Sequence, residues 1–210
     1  MPEPQNPPGR DGAGRDGAPE GTTTWAKLAL RDQLLTGRRR LGLAEIGEAA
    51  RALAHVVAAA PEVARAATVA AYASVGSEPG TGPLLDALSQ AGKRVILPCL
   101  QPDLDLDWAV YDGTLATAGR GLLEPTGNRL GADAIATADV VLVPGLAVDR
   151  RGFRLGRGGG SYDRALARVP VGTFTCVLLY DDEVGVEVPL EPHDLPVVAA
   201  ASPAGITRLR

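Results

Sequence analysis

The sequence predicts one α/β domain, a mostly parallel central sheet flanked by helices in three layers. Three observations predict it. Short apolar runs alternate with longer stretches of helical periodicity from residue 22 onward. Those short runs are apolar almost throughout, as strands buried on both faces are, and they are partly β-branched. Between TVAAYASV and RVILP lies a segment long enough for a crossover helix, which makes a βαβ unit.

In chain order, residues 1–21 hold proline, glycine, arginine and acids with almost no apolar side chains, so they bury too little to offset the entropy of ordering and are expected to form a disordered tail. The folded domain is expected over 22–210. One of Thr22, Thr23 and Thr24 caps a first helix through WAKLALRDQLLTGRR, whose Trp25, Leu28, Ala29, Leu34 and Leu35 form an apolar stripe. Lys27 and Arg31 are four apart on one face of it, and Arg38 to Arg40 read as its solvated end. A second helix runs from Ala44 to Ala60 and stops at Pro61. Thr68 to Val75 is a buried strand, followed by a loop with Gly76, Glu78, Pro79 and Gly80. A helix from Pro83 to Ala91 leads into the strand Arg94 to Pro98, and Asp107 to Tyr111 alternates as a further strand. GLLEPTG reads as a loop, and Asp139 to Val143 as a buried strand running into Pro144 and Gly145. After a glycine-rich loop come a helix from Tyr162 to Val169, a strand from Thr173 to Tyr180 and a short strand from Val197 to Ala201.

Composition narrows the function classes. A chain of 210 residues with 45% hydrophobic residues supports a sizeable core. The net charge of −4 gives no broad basic footprint for nucleic acid, although arginines cluster at Arg38 to Arg40 and Arg150 to Arg157. No apolar run approaches the ~18 residues of a membrane span and no apolar signal core opens the chain, so no membrane partner and a cytoplasmic location are expected. Cys99 and Cys176 lie in apolar surroundings far apart, which is neither a disulfide framework nor a zinc spacing. His55 and His193 are the only histidines, too few for a multi-histidine metal site, and His55 is expected to be half-buried on a helix.

The chemistry concentrates in RLGRGGGSYDR, Arg154 to Arg164. Gly156, Gly158, Gly159 and Gly160 carry no Cβ to hold a ligand away and permit positive φ, so successive N–H groups can converge on an anion. The helix that follows points its first amides the same way. Arg154 and Arg157 add full charges, and Asp163 is placed to hold a divalent cation beside a phosphate. No Lys-Ser or Lys-Thr pair closes the run, so it is not a Walker loop. GRGGGS comes near the dinucleotide fingerprint, with Asp181 and Asp182 about 20 residues on. Against that rival, Ser161 stands where the third glycine belongs and the nearest expected strand ends at Val143. Because ligands of open α/β sheets bind beyond the carboxyl ends of the strands, Glu78, the loop after Pro144 and the glycine loop should share one side of the sheet.

As a unit, VPGLAVDRRGFRLGRGGGSYDR closely resembles the 5-formyltetrahydrofolate cyclo-ligase family, also called methenyltetrahydrofolate synthetases. The likeness extends over nearly everything after Thr24: a first helix with Lys27 and Arg31, then YASVGSEPGT, KRVILP, GLLEP, the glycine loop and the acidic turn EPHD. It implies an ATP- and Mg2+-dependent conversion of 5-formyltetrahydrofolate to 5,10-methenyltetrahydrofolate with release of ADP and phosphate. It further implies that ATP is bound by Lys27, Arg31, Arg154, Leu155, Gly156, Arg157, Gly158, Gly159, Gly160, Ser161 and Tyr162. Folate would meet Glu78, Arg157 and the loop from Gly158 to Ser161, Mg2+ would sit on Asp163 and Asp194, and Arg157 and Glu78 would be the catalytic pair. The chain departs from the family at Ser161, commonly aromatic, at Val148, often phenylalanine, and at Gly159, a lysine in some members, so more of the phosphate charge would fall on Arg154 and Arg157. A monomer is expected. A sugar-phosphate isomerase on a similar scaffold and a noncatalytic folate- or nucleotide-binding module are the competing readings.

Overall fold

The computed structural model describes residues 20–209. Most of the expected tail, residues 1–19, lies outside them. The first helix, α1 (Glu20–Arg38), starts inside the stretch expected to be disordered, and the threonines offered as caps lie within its first turns. Thr24 Oγ1 instead donates to Glu191 across the molecule, 3.2 Å away.

Helix α2 (Leu43–Ala58) ends as predicted before Pro61, but that proline also opens a short helix, α3 (Pro61–Arg65), as proline at a first helical position does. His55 of α2 is exposed, because the buried face carries Ala50, Leu53, Ala54 and Val57. Strand β1 (Thr68–Ala70) is much shorter than TVAAYASV suggested. Beyond Ala71 the backbone is held by its own loop: Ser74 and Thr81 each accept the other's N–H through a hydroxyl, both at 2.9 Å. Then follow α4 (Gly82–Gln90), β2 (Arg94–Leu100) and β3 (Leu106–Val110). GLLEPTG is partly strand, since β4 (Leu115–Thr117) pairs with β5 (Leu123–Pro125). After a 3-10 turn at Ala132–Thr137 come β6 (Val140–Pro144) and the two-stranded ribbon of β7 (Ala147–Val148) and β8 (Arg154–Leu155). Helix α5 (Ser161–Leu166), shorter than the sequence suggested, leads to β9 (Phe174–Leu178), β10 (Ala199–Ser202) and a terminal hairpin strand that was not foreseen, β11 (Gly205–Arg208).

Seven strands form the central sheet in the order β11-β10-β9-β6-β1-β2-β3. The inner pairs are parallel, while β3 and β11 are antiparallel edges. Alternation along β6 shows why the sheet needs two covers. Val140 and Leu142 join the core under α2, α3 and α4, with Leu53, Val57, Val63, Leu84 and Leu88. Val141 and Val143 face the other way, against Ile135, Ala165 and Leu166. Cys99 and Cys176 are buried and unpaired, and burial pushes the Cys176 thiol up to about 12.

Helix α1 stands apart from both cores. Its Leu30, Leu34 and Leu35 pack on a small third cluster of Leu146, Ala147, Leu155 and Val188. Arg38, expected to be solvated, is 2% exposed and ion-paired with Glu183. Among the described residues, no helix is long and apolar enough to cross a membrane.

Candidate active site

The carboxyl ends of the parallel strands open into a cleft of about 520 Å³, and every predicted site residue lines it. The ribbon β7–β8 delivers the glycine loop. In its DRRGF turn, buried Asp149 accepts the N–H groups of Arg151 and Phe153, both at 2.9 Å, which folds the chain back and places Arg154 and Leu155 at the cleft wall. A strand thus does precede Gly156 directly, contrary to the sequence reading. It belongs to an antiparallel ribbon outside the main sheet, so it does not restore the dinucleotide fold.

Within the loop, Gly158 (φ 100°) and Gly160 (φ 66°) take left-handed conformations. Gly158 also lies close under α1: a Cβ there would stand 3.6 Å from the Arg31 guanidinium carbon. Arg31 Nε donates to the Gly156 carbonyl at 2.8 Å, so α1 holds one side of the loop. Ser161 is the first residue of α5, whose cap is Gly160, and its hydroxyl caps nothing.

Arg154 is the electrostatic centre. It is 5% exposed, its Nη2 lies 2.9 Å from Asp163 Oδ1, and its guanidinium stands 5.8 Å from the centre of the Tyr162 ring. Burial pulls its pKa down and the fields of Asp163, Tyr162 and Asp194 oppose that, leaving a cation, as arginine remains in proteins. Its buried Nε has no hydrogen-bond partner among the described residues, an unmet donor at a cleft otherwise supplied with cations. Burial also pushes the Tyr162 phenol up, so that it stays neutral.

Lys27 is buried and reaches across to the EPHD turn. Its Nζ lies 2.7 Å from Glu191 Oε2 and 2.7 and 2.9 Å from the two oxygens of Asp194. Glu191, His193 and Asp194 bring one ligand atom each to within 4.8 Å of one another. The turn had been singled out from the sequence for Asp194 alone. Glu191 and His193 were missed because nothing in a four-residue acidic turn tells which side chains face inward.

Glu78 is buried at the middle of the cleft. Its Oε2 accepts the Val75 N–H at 2.9 Å and its Oε1 pairs with Arg157 Nε at 3.1 Å, so the glycine loop and the loop after β1 are clasped together. Beneath lies Tyr72, 4% exposed, whose hydroxyl has no partner among the described residues and whose pKa burial pushes well up. Tyr72→Phe removes that unmet group. We expect the ligand-free protein to gain about 1 kcal/mol and roughly 2–4 °C in thermal midpoint. A lowered midpoint in a thermal melt would show that the hydroxyl is satisfied. Away from Lys27 the walls turn apolar, with Pro98, Leu100, Leu106, Leu122 and Leu123, and Glu124 ties the β4–β5 hairpin to β2 by accepting the Leu100 N–H at 2.8 Å.

Fold and cleft together define an α/β protein with a large ligand site at the carboxyl edge of its sheet, lined by cations, by a glycine loop and by a set of apolar side chains. The chain belongs to the 5-formyltetrahydrofolate cyclo-ligase family, whose sequence pattern matches residues 23–203, and it is an enzyme of that class. It is 43% identical over 192 residues to a 5-formyltetrahydrofolate cyclo-ligase of Mycolicibacterium smegmatis, covering 88% of this chain and 98% of that one. It is 33% identical over 156 residues to the cyclo-ligase of Escherichia coli K12, covering 70% and 83%. The solution structure of Aquifex aeolicus 5,10-methenyltetrahydrofolate synthetase superposes with a TM-score of 0.75 at 28% identity, over 88% of this chain and 93% of that one.

Proposed function

We propose that the protein converts 5-formyltetrahydrofolate to 5,10-methenyltetrahydrofolate at the expense of ATP, with Mg2+ bound beside the phosphates. The observation that carries this reading is the single cleft that joins Arg154, with its unmet Nε donor, and the side-chain-free loop to buried Glu78. A formamide carbonyl is a weak electrophile. Its oxygen attacks the γ-phosphorus and ADP departs; the second folate nitrogen then closes on the activated carbon, and phosphate leaves with the former formyl oxygen. Such a transfer asks the protein for positioning and charge neutralisation rather than a covalent nucleophile.

The residues divide that work by position. Lys27, Arg31 and Arg154 border the phosphate end, and the glycine loop offers amides without side chains in the way. Asp163 and Asp194 are hard oxygen donors that both lie in the field of Arg154, a set suited to Mg2+, which when bound would neutralise phosphate charge. In the ligand-free protein Lys27 and Arg154 balance those carboxylates. Arg157, half-exposed and hinged on Glu78, stands between the two ends, where it can follow the transferring phosphoryl group. Glu78 offers its carboxylate to the N–H edge of the pterin. We place the enzyme in the cytoplasm as a monomer without nucleic-acid or membrane partners.

The test is ultraviolet absorbance of the methenyl product when the protein meets 5-formyltetrahydrofolate, ATP and Mg2+. Signal that needs both ATP and Mg2+ supports the reading; folded, ATP-binding protein that gives none overturns it. Glu78→Gln keeps an acceptor for Val75 and loses the charge. We expect kcat/KM for the folate to fall about 10- to 100-fold with KM for ATP unchanged. Equal losses toward both substrates would remove Glu78 from the folate end.

A further inference from the structure

Arg120 holds a left-handed backbone conformation that suits glycine better than any residue with a side chain. It sits in Gly119–Gly121, between β4 and β5, at φ 59° and ψ 21°. Among the described residues only Leu104 shares a positive φ without being glycine. A Cβ is disfavoured there, and glycines stand on both sides, so the sequence has the residue suited to the position at hand and places arginine in it instead. Backbone outliers of this kind gather at ligand sites, where the side chain matters more than the strain.

The side chain lines the cleft. Among the described residues it has no ion pair or hydrogen bond, whereas Lys27, Arg31, Arg154 and Arg157 each have one. Its location follows from the sheet order. The hairpin is tied to β2 through Glu124 and Leu100, beside the β3 edge, whereas Asp194, paired with Lys27, belongs to the segment preceding β10 on the other side of the sheet. Lys27 and Asp194 therefore stand toward the other end of the cleft. Apolar Pro98, Leu100, Leu106, Leu122 and Leu123 line the end where Arg120 stands. A ligand matching this layout carries a flat polar ring at Glu78, an apolar middle and an anion at the far end.

We propose that Arg120 recognises the glutamyl carboxylate of the folate substrate. The proposal rests on the folate reading above: with the pterin at Glu78, the p-aminobenzoyl group lies along the leucines and the tail carboxylates come to the hairpin. A guanidinium suits the task because its planar fork takes a carboxylate through two parallel hydrogen bonds. The left-handed turn aims that fork without further contacts.

Equilibrium binding of 5-formyltetrahydrofolate and of 5-formyltetrahydropteroate, which lacks the glutamate, tests it in the wild type and in Arg120→Gly. Glycine suits the turn, so the variant should fold with an equal or higher thermal midpoint. The wild type should hold the glutamylated ligand about five- to tenfold more tightly than the pteroate, a modest ratio because the pair is exposed. Arg120→Gly should erase that ratio while pteroate binding stays the same, and added salt should shrink the ratio in the wild type alone. A ratio that survives in the variant overturns the role of Arg120 and leaves the cyclo-ligase reading intact. A wild type that binds neither compound overturns both, and the methenyl assay reports on the second independently.

Discussion

Arg154→Ala is expected to lower kcat/KM in the methenyl-forming reaction by about 10²- to 10³-fold, the loss typical when one preorganised donor to developing charge is removed. Two effects combine. The phosphoryl group loses a cation held 5% exposed, where screening by water is weak. Asp163 also loses its partner at 2.9 Å, so under the proposed assignment the carboxylates offered to Mg2+ gain net negative charge and repel the phosphates unless the metal is in place. Freed of the competing guanidinium, the Asp163 carboxylate should bind Mg2+ more tightly, so the Mg2+ concentration for half-maximal rate should fall while the maximal rate drops. Arg154→Lys separates charge from geometry: it keeps the cation and gives up the fork, and it should recover part of the rate. The measurements are steady-state rates over a Mg2+ titration and a melt of each variant. A folded Arg154→Ala within tenfold of wild type would place the phosphates elsewhere in the cleft.

The parallel sheet was legible because its strands are buried on both faces, and VVLV or RVILP has few other ways to sit in a folded chain. The glycine loop was legible for a different reason: four glycines between arginines leave almost no side chain to pack, so they point to a ligand rather than to a core. What the sequence hid were decisions made by individual side-chain hydrogen bonds, some within one loop and some across the molecule. TVAAYASV carries β propensity to its end, yet the exchange between Ser74 and Thr81 takes the chain out of the sheet after β1. The ribbon strands β7 and β8 are two residues each, below any periodicity, and depend on the side chain of Asp149. Lys27 reads as an exposed helix residue until the EPHD turn, more than 160 residues away, covers it. Arg38 misled in the same manner, since a basic residue in the last turn of a helix usually faces water. At Lys27 and Arg38 local pattern gave the backbone and a remote contact decided the side chain.

Arg38→Ala is expected to destabilise the protein by about 3–5 kcal/mol, the range for breaking a buried ion pair from one side. The geometry explains the size. Arg38 Nε lies 2.6 Å from Glu183 Oε1, and Nη2 donates to Glu183 Oε2 at 2.8 Å and to the Gly145 carbonyl at 2.7 Å. Glu183 is 3% exposed, and its carboxylate also accepts the Tyr180 N–H at 2.9 Å; burial pushes its pKa up against the pull of Arg38. Without the guanidinium that carboxylate is left charged in an apolar place or must take up a proton, and either outcome costs stability. A chain of this length should lose roughly 6–20 °C of thermal midpoint. The functional loss should be selective, because α1 carries Lys27 and Arg31 and, among the described residues, is fastened to the domain by the small leucine cluster, Thr24, those two residues and Arg38. Loosening its carboxyl end moves Lys27 and Arg31, the proposed phosphate contacts, so KM for ATP should rise more than KM for the folate. Replacing both partners, Arg38→Met with Glu183→Leu, removes the uncompensated charge and should restore much of the midpoint, since apolar substitutes often match a buried ion pair. If Arg38→Ala melts within 2 °C of wild type by the same ~2–4 °C per kcal/mol scale, the pair does not fasten α1, and the helix is held by its leucines and by the contacts of Thr24, Lys27 and Arg31.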